Sequence, residues 1–208
     1  MENFTSAIDR VLGLCDLHSS LTTKPGRPKQ DKSDLLRGAI VLSAAALDEV
    51  VLESVIAALP SAAKKGLLAN SNVLNWIKRK PEALIAALSK PSPENVLIEL
   101  ARAEIGTMTF QKSSAIGGLL EDALGANPPW ERTAAELNRH GGGRVWTAEA
   151  VATALDQFIL RRNRIAHSGD RNERGGLSGI RRPYVLDNTT LVLNVGLAVL
   201  YEVDQRIG

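Results

Sequence analysis

The spacing of apolar residues constrains this chain most, and it is helical nearly everywhere. The longest run is the clearest: Leu35, Leu36, Ala39, Ile40, Leu42, Ser43, Ala46, Leu47, Val50, Val51, Val55 and Ala58 keep one broad stripe, as intervals of three and four residues do on a helix. This predicts a helix over 33–60, opened by Ser33 or Asp31 as N-cap and closed by Pro60. Phe4, Ile8, Val11, Leu12 and Cys15 predict an earlier helix that fades at Ser19 and Ser20. Residues 22–32, with two prolines, one glycine and four bases, read as an exposed loop. From 61 to 146 the breaks at Pro81, Pro91, Pro93, Pro128, Pro129 and Gly141 to Gly143 leave room only for short helices, expected at 72–79, 81–89, 93–106, 113–124 and 130–140. Thr147 is the expected N-cap of a strong helix faced by Val151, Leu155, Phe158 and Ile159, with Gly169 as its stop. Asp187 or Asn188 is expected to cap a last helix carrying Leu191, Val192, Val195, Leu197, Val199 and Leu200. No alternating strand pattern of useful length and no internal repeat is present. The expected class is all-α, a bundle of two or three long helices with an inserted segment of short ones. A single domain would then have four parts, 1–32, 33–60, 61–146 and 147–208.

Composition narrows the function classes. With 208 residues, 44% hydrophobic and 23% charged, the chain has the makeup of an ordinary globular protein with a sizeable core. Cys15 is the only cysteine, so an internal disulfide and a cysteine-cluster metal site are excluded; among Ile8, Val11, Leu12 and Leu14 it reads as a small buried hydrophobe. His18 and His140 read as surface residues near helix C-termini, where they suit the helix dipole. No His-x3-His pair, phosphate loop or dinucleotide fingerprint occurs, so neither a metal nor another cofactor is expected. The longest uncharged run, Asn188 to Tyr201, falls short of the roughly 20 residues a membrane helix needs, and Met1-Glu2-Asn3-Phe4 lacks a basic start. The expected compartment is the cytoplasm, without a membrane partner. Trp76, Trp130 and Trp146 fall one to a segment and read as packing anchors; 4% aromatic content argues against RNA binding that works mainly by stacking.

The charge is lopsided. Although the chain carries only +2, residues 161–182 hold seven arginines against Asp170 and Glu173, a local balance of +5 that leaves −3 for the remainder. A concentrated patch on a near-neutral body is the footprint of phosphate or polyanion binding, and its plainer reading is a solvated basic loop. Within it, Arg161-Arg162-Asn163-Arg164-Ile165-Ala166-His167-Ser168-Gly169-Asp170 ends the strong helix. Five residues separate Arg162 from His167, about 140° of helical rotation. The two converge only if the arginine swings toward the terminus and fraying at Gly169 lets His167 turn inward. An imidazole exchanges protons near neutral pH, and a guanidinium holds its charge and offers paired donors to phosphate. These groups suffice in kind for metal-free RNA cleavage: a base for the 2′-OH and a cation for the charge developing on phosphorus oxygens.

Arg162-Asn163-Arg164-Ile165-Ala166-His167 resembles the R-x4–6-H signature of the HEPN superfamily, in which the residue after the arginine is often Asn, Asp or His. Its position at the end of a long helix, before a loop and a final apolar helix, adds to the likeness, and Arg37 to Glu53, with Ala46-Leu47-Asp48, resembles the first long helix of the RiboL-PSP-HEPN branch. The resemblance spans roughly 35–205, the middle in pattern only. It implies a HEPN-like helical bundle, usually a homodimer in which the motifs of both subunits line one cleft. It also implies a metal-independent endoribonuclease leaving a 2′,3′-cyclic phosphate and a 5′-OH, as a prokaryotic toxin or phage-defence effector controlled by an antitoxin or another regulatory protein. Carried over residue by residue, His167 is the general acid or base, Arg162 the phosphate contact and Asn163 a positioning hydrogen-bonder; Arg161 also satisfies the spacing. From charge, Arg161, Arg164, Arg171 and Arg174 would track the RNA backbone. Arg37 and Asp48, about three turns apart on one helix face, are candidate supporting residues that reach the site or each other, with a solvated or interfacial face as the plainer reading. The alternatives are an inactive HEPN module that binds RNA or dimerises, and a helical adaptor with a chance Arg-His pair.

Overall fold

The computed structural model describes residues 2–22, 30–70, 82, 85, 93–140 and 145–208. Seven helices occur among them: α1 (Glu2–Leu21), α2 (Gln30–Lys64), α3 (Pro93–Ile105), α4 (Ser113–Leu124), α5 (Trp130–Arg139), α6 (Ala148–Ser168) and α7 (Arg182–Ile207), with a 3-10 turn at Leu67–Asn70. The only pairing of strand type among the described residues is a single bridge between Arg171 and Leu177. The all-α expectation holds. Expected helices 93–106, 113–124 and 130–140 correspond to α3, α4 and α5; the one at 72–79, the one at 81–89 apart from Glu82 and Ile85, residues 23–29 of the expected loop and Trp76 lie outside the described residues, and the loop's last three residues, Gln30 to Lys32, are helical.

Helix α2 is the hub. Leu36, Ile40, Leu47, Val51, Val55, Ile56 and Leu59 are buried, and they point around much of the helix because α1, α3, α4, α6 and α7 all pack on it. A helix apolar on most of its circumference must be covered on most sides. That coverage explains why Pro60 does not end it: the ring removes one N–H, but Ala58, Leu59 and Ala62 are buried beside it and the helix continues to Lys64. Ser33 and Asp31 likewise fall inside α2, which begins at Gln30, and so are not its N-cap.

Thr147 caps α6 as expected, its hydroxyl accepting from the Ala150 N–H at 3.1 Å. Gly169 closes the helix with φ of 58°, a left-handed value that glycine takes without a Cβ clash. Helix α7 begins five residues before the expected Asp187 cap, at Arg182, where Pro183 supplies a preset φ in the first turn and Val185 starts the buried face. By length and composition alone α7 is apolar enough to cross a membrane, which the uncharged run underestimated; here it packs on α1, α2 and α5. Gly196 lets α1 approach α7, since a Cβ at that position would stand 2.4 Å from the Phe4 ring.

Helix α1 corrects the placement of His18. Phe4, Ile8, Val11, Cys15 and His18 form one buried stripe at alternating intervals of four and three; the stripe carries His18 inward along with Cys15, which is fully buried. Neither ring nitrogen of His18 has a hydrogen-bond partner among the described residues. Burial, then the nearby Arg182 and Lys32 cations, hold its pKa below the ordinary 6.5. The native state therefore refuses a proton that the unfolded chain accepts. Stability associated with this residue is present above 6.5 and is lost as pH falls from there toward the lowered native value. Urea unfolding as a function of pH should show this loss in the wild type, and His18→Gln should reduce the slope in that window.

Candidate active site

The C-terminal half of α6 is built from two consecutive arginines that turn to different sides of the helix. A step of one residue rotates about 100°, so Arg161 and Arg162 meet different partners. Arg162 Nη2 donates to Asp48 Oδ2 of α2 at 3.3 Å, with only 12% of the arginine side chain exposed. The other Asp48 oxygen accepts the Phe110 N–H at 3.1 Å. Burial pushes the Asp48 carboxyl above its usual range, with the Phe110 N–H and the Arg162 charge opposing it.

Asn163, next along, donates Nδ2–H to Gln111 Oε1 at 2.6 Å. About two turns earlier on α6, Asp156 Oδ1 accepts the Ser113 N–H at 2.5 Å and so caps α4 from across the fold. The connection from Phe110 to Ser113 is thus tied to Asp48, Asp156 and Asn163. Arg162 Nε and Asn163 Oδ1 remain buried without a hydrogen-bond partner among the described residues.

Arg161 belongs to a second cluster. Its Nη2 donates to Asp170 Oδ2 at 2.6 Å and to the Gly179 carbonyl at 3.1 Å. Arg37 of α2 donates Nε–H to the same Asp170 oxygen at 3.1 Å, and its other nitrogens reach Asp34 and the Ser178 carbonyl. Asp170 itself is fully buried, with φ of 62°. Its N–H bonds the Arg164 carbonyl and its carbonyl accepts from the Ser178 N–H, so the chain turns back at this residue. Asp48 therefore reaches the motif helix and Arg37 the turn just beyond it, but the two do not reach each other.

The last turn of α6 is regular through Ser168. Ser168 Oγ bonds the Arg164 carbonyl at 2.7 Å, and Asp170 anchors the residues beyond. Fraying at Gly169 does not occur, so His167 does not turn inward; it is exposed and has no hydrogen bond among the described residues. Within one chain, Arg162 faces α2 while His167 faces outward. Arg164, Arg171 and Arg174 are exposed, Arg171 bonding the Gly175 carbonyl within the loop. His140 is exposed as expected, and Trp130 and Trp146 pack against the core. Among the described residues no three His, Cys, Asp or Glu side chains gather as a metal site.

Asp170, Asp156 and Gln111 escaped the sequence reading. Asp170 had a signal: an isolated acid straight after a helix-stopping glycine, inside a run of arginines. Gln111 and Asp156 had none, because their partners lie 52 and 43 residues away. Comparisons with family models, curated proteins and solved structures find no match.

Asp170→Ala would leave two guanidiniums in the cluster without their shared carboxylate. Urea unfolding should show a loss of about 3–5 kcal/mol, with a smaller loss for Asp170→Asn, which keeps a hydrogen-bond acceptor and tolerates the left-handed backbone.

Proposed function

We propose that this chain is a metal-independent endoribonuclease of the HEPN type, acting as a homodimer. The observation that carries the proposal is the composition of the α6 terminus: an exposed imidazole, His167, within two turns of Arg162 and Asn163, whose buried Nε and Oδ1 atoms lack partners. In the reaction, the ribose 2′-oxygen forms a bond to phosphorus while the bond from phosphorus to the 5′-oxygen breaks. A neutral His167 takes the 2′-OH proton, and a protonated imidazole returns one to the departing 5′-oxygen. Arg162 stabilises the charge on the non-bridging oxygens, aided by its incomplete pairing with Asp48. Asn163 positions the strand through its amide.

The outward direction of His167 favours a site completed by a second copy. Thr153, Leu160, Arg164 and His167 follow one another at seven, four and three residues along α6, the spacing of a helix seam, and Leu160 is 59% exposed. Covering that leucine with its equivalent would bring two motifs into one cleft and supply both the base and the acid. A toxin or phage-defence role, held in check by an antitoxin or another regulator, is the cellular setting that belongs to this proposal.

A second reading, an inactive module that binds RNA or dimerises, draws on the separation of Arg162 from His167 within one chain. Incubation of labelled RNA with purified protein in excess EDTA decides between them. Cleavage to 2′,3′-cyclic phosphate ends, reduced by at least roughly 10²-fold in His167→Ala with RNA affinity largely kept, is the expected result; intact RNA that still binds would leave the module.

Neutralising Arg171 and Arg174 together should weaken RNA binding and lower the salt slope by up to about 1.4, the value for two lost contacts to a single strand. A slope equal to that of the wild type would remove these two residues from the RNA path.

A further inference from the structure

A groove runs between α5, α6 and α7, on the side of α6 away from Asn163. Its volume is about 510 Å³, and its lining includes His140, Trp146, Gln157, Tyr184, Asp187 and Asn188. Tyr184 also lines a pocket of about 320 Å³ with Arg161, Gly179, Ile180 and Arg181, so one residue borders both cavities. The chemistry changes along this path. Arg181 is exposed at one end and has no ion pair among the described residues. Tyr184, about one turn along α7 from Arg181 and one turn before Asp187, supplies aromatic surface between them, and Trp146 adds a second ring to the groove lining. Gln157 and Asp187 have no hydrogen bond among the described residues, and Asn188 uses Nδ2 on the Tyr184 carbonyl at 2.7 Å, which leaves its Oδ1 free to accept.

A cation, then ring faces, then acceptors is the order of groups that fits a nucleotide: phosphate first, base last. The acid decides the orientation, since Asp187 repels phosphate but accepts from an amine on a base edge. Gln157 lies ten residues before His167, about 15 Å along the helix axis, a span of a few nucleotides. We propose that this groove holds one base of the RNA strand cut at the α6 terminus, and that Asp187 and Asn188 select a base bearing an exocyclic amine, cytosine above uracil. The proposal rests on the ribonuclease reading for its ligand and adds to it the source of sequence preference.

The test uses the full chain and short 2′-O-methyl RNAs, whose blocked 2′-oxygen cannot attack phosphorus, so that binding is measured without cleavage. The cytidine oligomer should bind about tenfold more tightly than the uridine oligomer, the discrimination of one good base contact. Asp187→Asn, at an exposed position, should bring that ratio toward one by weakening the cytidine oligomer and leaving the uridine oligomer as it was; Asn188→Leu, which removes the second acceptor, is read in the same way. Equal binding of the two oligomers by the wild type, or an unchanged ratio in both variants, overturns the proposal. Competition by free cytidine monophosphate as strong as by the oligomer also overturns it, by making the occupant a free nucleotide. Cleavage in EDTA, followed in parallel, separates the two ideas: a cytidine preference without cleavage upholds the groove and removes the nuclease, and cleavage without the preference does the reverse.

Discussion

A single buried carboxylate, that of Asp170, holds the end of α6, the loop after it and the start of α2 together. It accepts from Arg37 on α2 and Arg161 on α6, residues 133 and 9 positions away in sequence. Taking one acid and two guanidiniums out of water costs several kcal/mol per ion, and the cost is recovered only where geometry and further hydrogen bonds are good. Here Asp34 and the carbonyls of Ser178 and Gly179 add hydrogen bonds to the arginines, while Arg161 Nε and Asp170 Oδ1 stay buried without a partner among the described residues. The cluster fixes where α6 stops, makes two left-handed residues in succession tolerable, and sends the chain back toward α7. Arg162, one residue along, does a separate job with Asp48, so adjacent arginines fasten α6 to α2 through different clusters.

The same pairs change the meaning of the basic segment. Of its seven arginines, Arg161, Arg162 and Arg182 are matched to Asp170, Asp48 and Asp16. The charge left for a polyanion comes from Arg164, Arg171, Arg174 and Arg181, all exposed. A local count of +5 in sequence is therefore partly an internal matter of the fold. The surface it produces is narrower, confined to the last turns of α6 and the loop that follows.

Helices were legible wherever burial is one-sided, because a single stripe then repeats at three and four; Thr147 and Gly169 were legible because caps are local chemistry. Pro60 misled because a proline's local cost was outweighed by packing from several neighbours, which no short window contains. The start of α7 was missed for a related reason: Pro183 after two arginines reads as a loop until Val185 is known to be buried. His18 continues the stripe of Cys15, but its place near the helix C-terminus, where an imidazole suits the dipole, points to the surface; in the fold the stripe prevails. In the site, the motif residues and the α2 candidates Arg37 and Asp48 are visible as a pattern, while their pairing with Asp170 and Arg162, and the part of Gln111 and Asp156, depend on distant chain segments meeting.

The central position of α2 bears on how the molecule is made. Helix α1 packs on α2 at once, being its neighbour in sequence, but α7 covers another side of α2 and lies more than a hundred residues later. Contacts of such separation form late and slowly. During synthesis the apolar flank of α2 stays open until α7 has left the ribosome, a stretch in which a nascent chain is prone to misassembly. Asp170 reaches Arg37 across 133 residues, a contact of the same long-range kind. The end of the segment carrying His167 thus combines local closure, which Gly169 and Arg164 supply, with an anchor to Arg37 of the long-range kind that forms slowly.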